Sequence, residues 1–325
     1  MSRAVVCREL GAPETLRVET ICATPLAPGK VRVAIRAAGI NFPDILMVAG
    51  EYQLKPELPF TPGMEAAGDV VEVGNDVRGI KVGQRVIVKL RHGGYADRVA
   101  VTPEHLTPLP STFDYAEGAT FLAAHGTAYF ALTDRGQIKP GETLLVHGAA
   151  GGVGLAAVEV GKLLGATVIA AASSEEKLAV AKARGADHLV LYRREPFRDA
   201  VKRITDGQGA DVVFDPVGGD VFEQSLRCIA WGARLLVIGF TGGIGLARTN
   251  LLLIKGASVL GVRTGEAARR NPELNAARVR VLSEWAEAGK VRPNVSHRLP
   301  LQDVARAMRL LIDRKAIGRV ALTTE

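Results

Sequence analysis

Glu142-Thr143-Leu144-Leu145-Val146-His147-Gly148-Ala149-Ala150-Gly151-Gly152-Val153-Gly154 is the stretch on which the fold turns. A short apolar run, expected to be a strand, enters a turn with four glycines. An apolar segment from Val153 to Leu164 follows, closed by Gly165, with the length and composition of a helix. Strand, glycine-rich turn and helix in that order are the setting a dinucleotide fingerprint requires. Glycines there let the backbone approach a pyrophosphate and let helix and strand pack closely. The helix start adds free N–H groups and the positive end of its dipole. Gly151, Gly152 and Val153 are therefore candidate cofactor-binding residues. Ala149 stands where the first glycine of G-x-G-x-x-G would be.

The same alternation continues outward. Thr167 to Ala171 reads as a second strand and Ser174 to Arg184 as a second helix, closed by Gly185. Leu189-Val190-Leu191, Asp211 to Phe214 and Arg234 to Gly239 read as further strands. Alternating strands and helices argue a parallel, doubly wound sheet with helices on both faces. The second strand ends Ala170-Ala171-Ala172-Ser173-Ser174, with no acidic residue. An acid there would hold a ribose 2′-hydroxyl and repel a 2′-phosphate. Ser173 and Lys177 would instead accept that phosphate, with Tyr192 closing the pocket. The other readings are a helix cap at Ser173 and a surface Lys177. The missing acid makes NADPH the expected cofactor.

Residues 1–110 differ in texture. Lys30 to Arg36, Asp69 to Gly74 and Gln84 to Lys89 are short strand candidates, punctuated by Pro28-Gly29, Pro62-Gly63 and Gly93-Gly94. That pattern suggests a barrel-like β domain. In the tail, Val279 to Ala288 and Asp303 to Asp313 have helical spacing, with Asp303 a cap candidate, and Arg319 to Thr323 reads as a last strand.

Composition narrows the function classes. The 325 residues are 47% hydrophobic and 23% charged, a globular balance, and roughly two domains' worth. No run of 18 residues is free of charge, so no transmembrane helix is expected. The start lacks the apolar core of a signal peptide. Cys7, Cys22 and Cys228 are scattered and form neither a disulfide framework nor a metal-ligand spacing. A cytoplasmic protein without bound metal is the expectation. The net charge of +7 permits binding of anions, but no basic run has the length of a nucleic-acid patch, so nucleic acid is not an expected partner.

Three further segments carry a family resemblance: Ala37-Ala38-Gly39-Ile40-Asn41-Phe42-Pro43-Asp44, then Gly50-Glu51-Tyr52, then Pro62-Gly63-Met64-Glu65-Ala66-Ala67-Gly68. With Val146 to Gly154, Asp215-Pro216-Val217-Gly218-Gly219 and Asn250 to Gly256, the chain resembles, over nearly its whole length, the medium-chain dehydrogenase/reductase superfamily. Within it, the resemblance is to the zinc-independent quinone oxidoreductase (zeta-crystallin-like) branch. The resemblance implies an α/β protein: a GroES-like β-rich domain over 1–124, a doubly wound Rossmann domain over 125–261, and a segment 262–325 rejoining the first. It implies that substrate and nicotinamide meet in the cleft between the domains. It also implies a homodimer or homotetramer paired through the edge of the Rossmann sheet. Ala257 to Val262 is the candidate edge strand; a buried strand is the other reading.

The zinc branch needs a Cys in the segment before Asp44 and a His in a Gly-His-Glu motif. Here those places hold Asn41 and Phe42, and Met64, which do not replace thiolate and imidazole. Without that Lewis acid, alcohol dehydrogenation is not expected. The implied activity is NADPH-dependent reduction of a small electrophilic acceptor, a quinone or related conjugated carbonyl, by hydride transfer. By resemblance Thr127, the Ile238 to Thr241 turn with Phe240, and Gly318-Arg319 lie near the cofactor; Ala316 occupies a place often held by Asn. Asn41, Asp44 and Tyr52 match residues lining the family's active cleft. Tyr52 either hydrogen-bonds or protonates the acceptor's oxygen or serves as aromatic packing. Asp44 is an acid or an anchor for its loop, the anchor being preferred. His92 and His125 are minor candidates for proton donors. Two alternatives stay open: reduction of 2-enoyl thioesters, and an NADPH-binding protein with a structural or RNA-binding role.

Overall fold

A computed structural model describes residues 1–22 and 24–324. The chain forms two compact units, one of Met1–Ala123 with Ala286–Glu325, the other of Ala124–Trp285.

The second unit is built on a six-stranded sheet in which every neighbouring pair is parallel. Across it the strands run His188–Leu191, Thr167–Ala172, Thr143–Val146, Ala210–Asp215, Ile229–Val237 and Ser258–Gly261. Their side chains alternate between two cores. Leu144, Val146, Val168, Ala170, Val212, Phe214 and Leu236 face one, with the helix Gly152–Leu163. Leu145, Ile169, Ala171, Val190, Val213 and Leu235 face the other, with Phe197, Val201 and Phe222. Burial on both faces explains why these strands read as continuous apolar runs. Strand order reverses between Thr143–Val146 and Thr167–Ala172 on one side and Ala210–Asp215 on the other. The crevice at the carboxyl ends of the strands flanking that reversal is where doubly wound sheets bind ligands.

The chain passes from one compact unit to the other at 285/286, where the resemblance implies 261/262. Residues 262–285 stay with the parallel sheet for packing reasons. The helix Pro272–Glu287 sets Arg278 on Asp134 and over the Phe130 ring, and Trp285 edge-on to Tyr129 at 5.5 Å. Its start also lies well before the expected Val279.

The first unit holds a seven-stranded sheet. Val295–Pro300 pairs in parallel with Arg319–Thr323. The sheet continues antiparallel through Val31–Gly39, Glu65–Val73, Arg85–Lys89 and Leu106–Pro108, and Arg98–Val101 also pairs with Val31–Gly39. A two-stranded ribbon, Ser2–Val6 with Arg17–Ile21, stands beside it. Asp303 precedes the helix Val304–Ile312 but its side chain does not cap it; a short 3-10 turn, Leu301–Asp303, leads in instead. Among the described residues no helix is long and apolar enough to cross a membrane.

Candidate functional site

In the second unit the strand Thr143–Val146 delivers the chain into the glycine turn. Gly148 has φ +55°, a left-handed conformation that costs glycine nothing. The Gly151 N–H donates to the Gly148 carbonyl at 2.8 Å, and the Ala149 N–H to that of Ala171 at 3.2 Å. Gly151 then caps the helix Gly152–Leu163. A β-carbon on Gly154 would lie 2.2 Å from the Gly148 carbonyl oxygen, and one on Gly161 would lie 2.5 Å from Leu144 Cδ2. Helix and strand thus approach as closely as backbone allows. The glycine-rich cradle and the helix's leading N–H groups fit a pyrophosphate. Ala149 costs the turn nothing, because the positive φ falls on Gly148.

Asp215, at the end of its strand and 1% exposed, accepts the N–H groups of Val217 at 2.8 Å and Gly218 at 3.0 Å. Gly218 and Gly219 have positive φ, and β-carbons there would meet the Gly243 and Gly242 carbonyl oxygens at 2.3 and 2.4 Å. The turns 216–219 and 239–243 are therefore locked backbone to backbone beside the glycine cradle, and Phe240 stands exposed on the second. His147 is buried. Its Nε2 lies 2.8 Å from Ser225 Oγ, and Ser225 donates to the Val221 carbonyl. Burial pushes the imidazole pKa down to about 4, the nearby Asp215 opposing. His147, Ser225 and Asp215 resemble a hydrolytic set but are sealed in the core.

The surroundings of Ser173 are laid out by strand register. Leu191 pairs with Ala172, and the Tyr192 N–H donates to the Ala172 carbonyl at 3.3 Å. Tyr192 is thus beside Ser173, with Lys177 one helical turn on. Ser174, not Ser173, caps the helix Glu175–Ala183, accepting the Lys177 N–H at 3.4 Å. Ser173 is left out of the cap. Thr127 lies in the helix Leu122–Phe130. His125 on that helix is buried against Glu159 (Nε2 to Oε2, 2.9 Å), whose other oxygen accepts from Arg184 at 2.8 Å. His92 stands edge-on to Phe60 at 6.1 Å.

The first unit carries a buried polar cluster that joins Asn41 and Asp44 to groups not anticipated from the sequence. Asn41 precedes the helix Phe42–Val48, and its N–H donates to Asp44 Oδ2 at 2.9 Å. The Tyr95 hydroxyl donates to the same oxygen at 2.8 Å. Arg319 Nη2 donates to Asn41 Oδ1 at 2.8 Å and stands 3.7 Å from Glu65 Oε2. Glu65 Oε1 accepts the Ala123 N–H at 3.0 Å, and Lys89 is its cross-strand partner. Burial raises the Asp44 pKa to about 6 and the Glu65 pKa to about 7, against the pull of Tyr95 and Arg319 respectively. It lowers those of Lys89 and Arg319, and raises that of Tyr95. Tyr52 and Met64 are half-buried against the adjoining apolar core. Arg319, expected among the cofactor contacts, has its partners within this cluster. For Tyr95 the sequence holds a signal in Gly63: a β-carbon there would lie 2.5 Å from the Tyr95 ring.

Among the described residues no three His, Cys, Asp or Glu side chains are grouped to hold a metal ion. Asn41 and Met64 offer a carboxamide and a thioether, a donor set that does not fit a catalytic zinc.

Residues 152–278 match the family described as zinc-binding dehydrogenase, and residues 27–111 the alcohol dehydrogenase GroES-like domain. The quinone oxidoreductase-like protein 2 homolog of Nematostella vectensis is 40% identical, over 99% of this chain and 89% of its own. A probable oxidoreductase from Mycobacterium abscessus superposes with TM-score 0.90 at 39% identity, covering 100% of this chain and 99% of its own. Escherichia coli quinone oxidoreductase complexed with NADPH superposes with TM-score 0.92 at 30% identity, with 100% of both chains covered. The units are accordingly a GroES-like domain and a Rossmann domain. The chain is an oxidoreductase and belongs to the quinone oxidoreductase branch of the medium-chain dehydrogenase/reductase superfamily.

Proposed function

We propose that this chain uses NADPH to reduce quinones or related conjugated carbonyls, without zinc. The observation that carries the reading is the end of the strand Thr167–Ala172. Ser173 and Tyr192 follow the paired residues Ala172 and Leu191 there, Lys177 follows, and the strand end Ala170 to Ser174 carries no acidic residue. When bound, the nicotinamide supplies the hydride. The protein supplies the rest. Gly151, Gly152 and Val153 hold the pyrophosphate, and Ser173, Lys177 and Tyr192 hold the 2′-phosphate. Thr127 and Phe240 would contact the nicotinamide, and Asn41 and Tyr52 the acceptor. Asp44, held by two donated hydrogen bonds, anchors the Asn41 loop. The donor set at Asn41 and Met64 supports the zinc-free reading.

The chain is also proposed to form a homodimer through the open edge strand Ser258–Gly261. Trp231 (77% exposed), Leu253 (82%), Ile244 and Leu246 lie in the same unit, and a monomer seldom leaves so much apolar surface in water. Three unpaired cysteines suit a cytoplasmic location.

An acceptor panel tests the function: NADPH oxidation with 1,4-benzoquinone, an enone and a 2-enoyl thioester. Quinone turnover at least tenfold above the thioester is expected. The reverse order favours a 2-enoyl thioester reductase. No turnover on any acceptor, with NADPH still bound, favours a binding role, and RNA retention competed by NADPH would identify it.

A further inference from the structure

Arg319 opens the last strand of the first unit, 7% exposed. Burying a guanidinium is unfavourable unless its surroundings compensate. Compensation here is partial: among the described residues Arg319 Nε, Glu65 Oε2 and Asp44 Oδ1 have no hydrogen-bond partner. An apolar side chain would fill the volume at lower cost. What a cation does at this place, and an apolar group does not, is orient Asn41. Arg319 Nη2 donates to Asn41 Oδ1, so flipping the amide would set N–H against N–H. The Asn41 Nδ2 end is thereby directed away from Arg319. It makes one long hydrogen bond, to the Gly39 carbonyl at 3.4 Å, and its second N–H meets no acceptor among the described residues. The backbone of Asn41 is fixed as well, by Asp44 Oδ2, which Tyr95 holds in turn. An amide held from both sides, with one N–H unspent, is a preorganised hydrogen-bond donor.

We propose that Asn41 Nδ2 donates to the oxygen of the carbonyl acceptor, and that Arg319, balanced by Glu65, is a positioning residue that sets the direction of that amide. This deepens the reading of the chain as a reductase of conjugated carbonyls and rests on it. The hydride leaves C4 of the reduced nicotinamide, whose C–H bond breaks as NADPH is oxidised to NADP+, and adds to a carbon of the conjugated system, which is reduced as the new C–H bond forms. The π electron pair moves to the carbonyl oxygen. Asn41 stabilises the oxyanion without giving up a proton, and the oxygen takes its proton from water.

Asn41→Asp tests the donor, since it keeps the contact to Arg319 and the helix-start geometry but loses the N–H. Its kcat with 1,4-benzoquinone should fall about a hundredfold, the loss typical of removing one oxyanion donor. NADPH affinity, read by cofactor fluorescence, should change less than threefold. Arg319→Lys and Arg319→Met test the positioning. The lysine variant should retain at least ten times the kcat of the methionine variant while NADPH affinity in the two stays within threefold. Should Asn41→Asp not fold, Asn41→Ala carries the same comparison. Turnover by the Asn41 variant within threefold of wild type overturns the donor. Equal kcat in both Arg319 variants overturns the positioning. A wild-type protein inactive on every conjugated carbonyl overturns the functional reading itself and this assignment with it.

Discussion

Gly154→Ala puts the phosphate cradle to the test. In most helices this change stabilises by about 1 kcal/mol, because alanine loses less backbone entropy. Here the new β-carbon would lie 2.2 Å from the Gly148 carbonyl oxygen and 2.9 Å from Ala149 Cα. Both neighbours are backbone, and the turn is pinned by the Gly151 to Gly148 and Ala149 to Ala171 hydrogen bonds. Relief requires the turn and helix to part by roughly 1 Å, at an overpacking cost of about 3 kcal/mol. The net is a destabilisation of about 2 kcal/mol, or a fall of roughly 4–8 °C in the Tm of a domain this size. The same movement spoils the pyrophosphate cradle, so the NADPH Kd should rise at least tenfold. Gly126→Ala is the internal control. It lies in the helix Leu122–Phe130 with nothing within 4 Å of its β position, and it should leave Tm unchanged or raise it. Thermal unfolding and fluorescence titration of both variants decide the matter. If Gly154→Ala melts no lower than wild type and binds NADPH within twofold of it, the close-approach reasoning is refuted.

Three further outcomes are expected. Glu65 has a folded pKa of about 7, above its usual 4.5, so the folded state holds its proton longer than the unfolded chain. Stability from this group is fully present below about pH 4.5 and is lost as pH rises to about 7, on the order of 3 kcal/mol. The Tm of Glu65→Gln relative to wild type should therefore climb by several degrees between pH 5 and 8; parallel curves would refute the buried carboxyl's role. Lys177→Glu should raise the Kd of NADPH at least a hundredfold and that of NADH less than threefold, measured by fluorescence titration. Equal losses would remove the 2′-phosphate assignment. Tyr52→Phe should lower kcat on 1,4-benzoquinone at least tenfold with Tm unchanged, whereas undiminished turnover would leave Tyr52 a packing residue.

The Rossmann unit was legible because its signals are local. Thr143 to Gly154 carries strand, turn and helix in one short run, and both-face burial makes its strands uniformly apolar. The boundary at 285/286 was not legible, because it depends on Arg278 and Trp285 reaching Asp134 and Tyr129, far back in the chain. The cluster around Asn41 was half legible. Asn41 and Asp44 share one turn and one motif. Tyr95 and Arg319 join them only through the sheet, across 51 and 278 residues. Resemblance puts Arg319 near the cofactor, while its hydrogen bond to Asn41 depends on the pairing of the last strand with Val31–Gly39.

Steady-state kcat/KM with 1,4-benzoquinone, measured with NADPH and with NADH before and after exhaustive chelation, tests the proposed activity most directly. Turnover at least tenfold better with NADPH and undiminished by the chelator is the expected result. Preference for NADH, or activity abolished by chelation and restored by zinc, would contradict it.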